Sequence, residues 1–74
     1  MNWRDYIITD EKILRGKPII KGTRLSVEFI LGLLSEGWTE EEILENYPQL
    51  SREALRAVFQ YLKEYASDEI LLPL

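Results

Sequence analysis

Three positions in this chain carry the same helix-starting device, and that repetition constrains the fold more than any other feature. Ser26, Thr39 and Ser51 are good N-cap residues, whose side-chain oxygens accept a backbone N–H from the first helical turn. Each follows an apolar residue (Leu25, Trp38, Leu50), and each is followed four places later by another (Ile30, Ile43, Leu55). That pairing is a hydrophobic staple, which fixes the angle at which the chain enters a helix. Thr39 also has Glu42 three residues on, the pattern of a capping box, and Glu40, Glu41 and Glu42 fill a first turn that the macrodipole makes favourable for acids. The spacing predicts helices over 27–36, 40–46 and 52–66. Gly37 supplies the left-handed residue after the first. Pro48 ends the second by pushing Tyr47 out of the helical region.

The faces follow from periodicity. Val27, Ile30, Leu31, Leu34 and Trp38 make one stripe, and Phe29 with Leu33 makes a second beside it. A helix this apolar is buried round most of its circumference. A chain of 74 residues has little material for such cover, so the spare stripe, Phe29 and Leu33, reads as a dimer contact. The second helix turns Ile43, Leu44 and Tyr47 inward. The third has a stripe of Leu55, Val58, Phe59, Leu62 and Ala66 flanked by Tyr61 and Tyr65, with Arg52, Arg56, Gln60 and Lys63 on another face.

Residues 6–25 read as short extended pieces. Ile7-Ile8-Thr9 is a strand and Asp10-Glu11-Lys12 a turn. Ile13-Leu14 is a second short strand or a bridge, and Pro18-Ile19-Ile20-Lys21 is a strand that begins at a proline. Such short strands are weak alone. They are expected to pair with a neighbouring chain or pack under the helices, which makes Ile19 and Ile20 dimer-interface candidates. The whole, residues 1–74, reads as a single mainly α domain: a β element over 6–25, a three-helix body over 26–66 and an apolar tail over 67–74.

Chemistry is narrowed by what is missing. The chain has no cysteine and no histidine. Thiolate metal sites, disulfides and the commonest general base are therefore excluded, and no enzyme activity, metal or cofactor is expected. A small enzyme would rest on carboxylates, Tyr, Lys or Arg alone. No segment has the length and apolarity of a membrane span or a signal-peptide core, so a cytoplasmic location is expected.

Charge is divided along the chain. Residues 1–25 carry six basic side chains against three acidic ones; residues 26–74 carry three against ten. The net charge of −4 argues against non-specific coating of nucleic acid but leaves room for a local basic patch. That patch is Arg15-Gly16-Lys17-Pro18-Ile19-Ile20-Lys21-Gly22-Thr23-Arg24-Leu25, with four of the nine basic residues and two of the four glycines.

Four motifs carry functional readings. The second helix, the short Tyr47-Pro48-Gln49-Leu50 connection and the third helix have the order and lengths of a helix-turn-helix. In that motif Gln49, Ser51, Arg52 and Arg56 face base edges, and Lys17, Lys21 and Arg24 hold phosphates. Against this stands an ordinary three-helix bundle with a solvated face, and the acids Glu40, Glu41, Glu42 and Glu45 repel phosphate. The basic segment reads either as a phosphate cradle or as a structural turn, with Gly22 at positive φ, Thr23 bonded to local backbone and Arg24 paired with an acid of the body. The carboxylates Glu41 and Glu45 share a helix face, but capping and solvation account for them. The tail residues Ile70, Leu71, Leu72 and Leu74 are partner-binding candidates, or fold back on the chain's own core or on a symmetry mate.

The stretch from Gly16 to Val27 resembles the signature of the domain-of-unknown-function 433 family. Gly37-Trp38-Thr39-Glu40-Glu41-Glu42-Ile43-Leu44, Tyr47-Pro48-Gln49-Leu50-Ser51 and the helix through Ala54, Leu55 and Tyr61 extend the resemblance to about residues 7–66. The family pattern has two glycines before the Lys-Pro pair; here the first is Arg15. The resemblance implies a homeodomain-like or winged-helix-like three-helix domain with short N-terminal strands. It also implies an antitoxin-like role: silencing a toxin with a PIN-like nuclease fold and binding operator DNA, which the spare apolar surface leads us to expect of a homodimer. The alternative is a dimeric protein-interaction module with no DNA role.

Overall fold

In the computed structural model, which describes residues 2–69, each of the three caps starts a helix. Helix α1 spans Val27–Ser35, α2 spans Glu40–Asn46 and α3 spans Arg52–Glu69. The Ser26 hydroxyl accepts the Phe29 N–H at 2.9 Å, and the Ser51 hydroxyl accepts the Ala54 N–H at 3.1 Å. The capping box of α2 is complete: Thr39 Oγ1 accepts from Glu42 N–H at 3.1 Å, and the Glu42 carboxylate accepts from Thr39 N–H at 2.8 Å. Gly37, at φ 97°, ends α1. The Trp38 and Gly37 amides bond back to the Leu33 and Leu34 carbonyls, a Schellman closure that satisfies the last carbonyls of the helix. Helix α3 continues to Glu69, past the Ala66 end that the pattern predicts.

Strands β1 (Ile7–Ile8) and β2 (Ile19–Ile20) are antiparallel, with Ile7 opposite Ile20 and Ile8 opposite Ile19. They pair within one chain, and an isolated bridge from Ile19 to Ser26 ties them to the start of α1. Ile13-Leu14 is neither strand nor bridge. The chain there turns through a 3-10 segment, Leu14–Gly16, and a second one, Trp3–Asp5, precedes β1.

The core takes its most buried side chains from β2 (Ile19), α1 (Ile30), α2 (Ile43) and α3 (Leu55, Val58). Two expectations about faces are corrected. Helix α3 buries Ala54, Leu55, Ala57 and Val58, leaving Leu62 half-buried, Ala66 exposed and Phe59 44% exposed. The small side chains of Ala54 and Ala57 lie on the buried face of α3, and Phe59 lies off it. The spare stripe of α1 is only half spare: Leu33 is buried in the chain's own core, as are Ile19 and Ile20, and of the four interface candidates Phe29 alone is exposed. The β pairing and the rotated α3 supply cover from within.

The N-terminal residues pack on α3. Trp3 meets Tyr61 edge-on at 5.0 Å between centroids, the Arg4 guanidinium lies 4.4 Å over the Trp3 ring, and Arg4 donates to Glu64 at 3.1 Å. The Trp3 Nε1–H is buried and finds no acceptor among the described residues. Burial raises the Tyr61 hydroxyl to about 12, helped by the neighbouring Tyr65. Among the described residues, no helix is long and apolar enough to cross a membrane.

Candidate functional site

The basic segment folds into two tight turns on either side of β2. In the first, Ile13 N–H donates to the Asp10 carbonyl at 2.8 Å and Lys12 N–H to the Asp10 carboxylate at 2.9 Å. Three successive residues then take positive φ: Leu14 at 50°, Arg15 at 58° and Gly16 at 81°. Only glycine does this without steric cost. Lys17, extended before Pro18 with ψ 148°, leads into β2. After β2, Gly22 at φ 83° makes the second turn. Thr23 locks it: its hydroxyl donates to the Ile20 carbonyl at 2.8 Å and accepts the Leu25 N–H at 3.0 Å. The expected structural use of Gly22 and Thr23 is thus present. The expected partner of Arg24 is not; among the described residues no acid pairs with it.

The two turns and the start of α1 enclose a cleft of about 570 Å³. Leu14, Leu25 and Phe29 give it an apolar lining, and Arg15, Lys17 and Arg24 supply the charge. Leu14 is 46% and Phe29 41% exposed. Lys17 donates to the exposed Glu28 carboxylate at 2.7 Å, and that contact holds the Glu28 carboxyl below its ordinary range. Phe29 also meets Tyr47 edge-on at 5.5 Å, and Tyr47 lies 6.4 Å from Trp38. This aromatic row connects the cleft to the turn between α2 and α3.

At that turn Gln49, Ser51, Arg52 and Arg56 are all exposed. Ser51 is engaged as a cap. Arg52 faces the acids of α2, at 3.8 Å from Glu40 and 3.5 Å from Glu41. Arg52, Arg56, Glu40 and Phe59 line a smaller hollow of about 260 Å³. The structure therefore divides the seven DNA-contact candidates. Lys17 and Arg24 join the cleft, Lys21 is exposed but does not line it, and the other four gather at the α2–α3 turn. The partner-binding candidates Ile70, Leu71, Leu72 and Leu74 lie outside the described residues. Among the described residues there is no cluster of three or more groups able to hold a metal ion.

Sequence reasoning missed Leu14 and Arg15 as cleft residues. The one signal was Arg15 itself, standing where a glycine is expected before Gly16.

The fold and this surface define a small helical domain that opens with a two-stranded antiparallel ladder and carries a mixed basic and apolar cleft. The chain belongs to the DUF433 family, described as proteins of unknown function, whose profile matches residues 7–62. It is similar to an uncharacterized protein, y4eO, of Sinorhizobium fredii, at 31% identity over 58 residues. Those residues are 78% of this chain but only 26% of that relative, so the chain spans about a quarter of the relative's length. A DUF433 member protein from Anabaena variabilis, known from its crystal structure, matches with a TM-score of 0.79 at 26% identity. That match covers 88% of this chain and 64% of the other.

Proposed function

We propose that the chain is a non-enzymatic, antitoxin-like binding module of the cytoplasm that reads operator DNA through the start of α3 and silences a PIN-like nuclease partner. The observation that carries the DNA half is the placement of α3. Its apolar face is buried through Ala54, Leu55, Ala57 and Val58, while Gln49, Ser51, Arg52 and Arg56 remain exposed around its first turn. Arginine and glutamine there have the donor geometry for guanine and adenine edges in a major groove. Lys21, which is exposed, is assigned a phosphate contact in this reading. The nuclease half assigns residues 70–74 to the partner.

A gel shift against the DNA upstream of the chain's own reading frame, at stated salt, tests the first half. Arg56→Ala is expected to weaken binding and lower the salt slope by about 1 if it holds a phosphate, or to relax base preference if it reads an edge. An unchanged affinity and slope would remove α3 as the reader. Truncation after Glu69 is expected to abolish nuclease binding.

One observation favours a second reading, a dimeric protein-interaction module with no DNA role. Glu40 and Glu41 hold Arg52 and keep negative charge beside the proposed reading surface. Absence of any shift at low salt, with self-association intact, would select it.

A further inference from the structure

The cleft under the basic segment is poorly suited to phosphate alone. A phosphate ridge needs cations; it gains nothing from apolar walls, and it would compete with the Glu28 carboxylate already bound to Lys17. Leu14 and Phe29 nevertheless stand open to solvent there, at 46% and 41% exposure. Leu14 is held out by a backbone at φ 50°, a conformation that a leucine adopts only at a steric cost. An apolar side chain displayed on a strained turn, beside an exposed aromatic ring and three cations, is a mixed surface with a specific complement.

We propose that this cleft is a docking site for an acidic peptide segment of a protein partner. One bulky apolar side chain of that segment inserts between Leu14 and Phe29, and its flanking carboxylates meet Arg15 and Arg24. The volume, about 570 Å³, lies in the range of roughly 300–1,000 Å³ that buries a compact ligand group. Guanidinium groups bind carboxylates with two parallel hydrogen bonds, and among the described residues neither Arg15 nor Arg24 has an acidic partner. The remainder of the chain is acidic on balance, and at the α2–α3 turn Glu40 and Glu41 face Arg52, so an acidic partner is steered toward the cleft cations. Lys17 serves as a regulated third contact. It is occupied by Glu28 at 2.7 Å, and an incoming carboxylate competes for it. The proposal goes beyond the operator reading and uses other residues than the start of α3.

The test is fluorescence anisotropy with a labelled hexapeptide, Asp-Glu-Leu-Trp-Glu-Asp. Its controls are the same peptide with Ala-Ala in place of Leu-Trp and a thymidine oligonucleotide of equal charge. The parent peptide is expected to bind best. Arg15→Gln and Arg24→Gln should each weaken it about tenfold, the loss of a charge-assisted hydrogen bond. Leu14→Asn, which a left-handed position tolerates, should keep the fold by circular dichroism and lose affinity. Glu28→Gln should raise affinity by releasing Lys17. Tighter binding of the oligonucleotide, equal binding of the Ala-Ala peptide, no binding of any probe, or unchanged affinity in the Arg15, Arg24 and Leu14 variants would each overturn the proposal. A failed gel shift in the Arg56 experiment leaves it standing, because that result concerns α3.

Discussion

Arg15 sits at φ 58°, beside Leu14 at 50° and Gly16 at 81°, and both non-glycine residues strain the turn. A left-handed conformation costs an L-residue roughly 1–2 kcal/mol, whereas glycine's extra unfolded-state entropy costs roughly 0.5–1 kcal/mol. Of the two costs, strain is the greater. Arg15→Gly is therefore expected to stabilise the fold by about 0.5 kcal/mol, read as a higher urea midpoint at constant m, while removing a cleft cation. A gain in stability with a loss of binding would mark the turn as shaped for its surface. Tyr61 gives a second prediction at this scale. Burial raises its hydroxyl to about 12 from an ordinary 10.0, so the folded state binds the proton more tightly than the unfolded state does. Its stabilising contribution is whole below pH 10 and is lost as pH climbs through 12. Tyr61→Phe should flatten the alkaline end of the stability curve, and tyrosinate absorbance should show one late-titrating tyrosine in the parent protein. Little of the strain at Leu14 and Arg15 was legible in the sequence, because both are residue types that seldom take positive φ. The substitution of Arg15 for an expected glycine hinted at it.

At the scale of elements, the helices were legible because their signals are local. A cap, its staple and the following glycine or proline all lie within a few residues, so α1 and α2 begin where the spacing predicts. Thr39→Ala removes the hydroxyl of the capping box and leaves the Glu42 amide unpaired; a loss of about 1 kcal/mol is expected in thermal or urea unfolding. The inward face of α3 was less legible. Periodicity weights large apolar residues, so it favours Phe59 as core and gives Ala54 and Ala57 no weight. Close approach depends on small side chains, and that is a property of the pair of elements. The same limit applies to Ile13-Leu14, whose β-like composition gives way to a turn because the chain must reverse between β1 and β2.

For the whole molecule, stability is the controlling quantity. Roughly 0.05–0.15 kcal/mol per residue gives a chain of 74 residues about 4–11 kcal/mol in all. Ile43, the fully buried residue of α2, is surrounded by the main core. Ile43→Ala should cost about 3 kcal/mol, because the lost burial is compounded by the cavity left behind. Partial unfolding at ordinary temperature, seen by circular dichroism, is the expected result. The division of charge along the chain was legible from the sequence, and it anticipates a basic surface set against an acidic body. The way the N-terminus reaches α3 was not, since Arg4 and Glu64 stand 60 residues apart and no local signal pairs them or Trp3 with Tyr61.

That clasp leads us to expect an order of events in time. Trp3 and Tyr61 close a loop of nearly the whole chain, whereas Trp38 sits against its own helix end and against Tyr47 nearby in sequence. Long loops close at greater entropic cost than short ones. In a stopped-flow refolding experiment the two indoles should therefore act as separate clocks, Trp38 reporting early and Trp3 late, and replacing either with phenylalanine would isolate the other's signal.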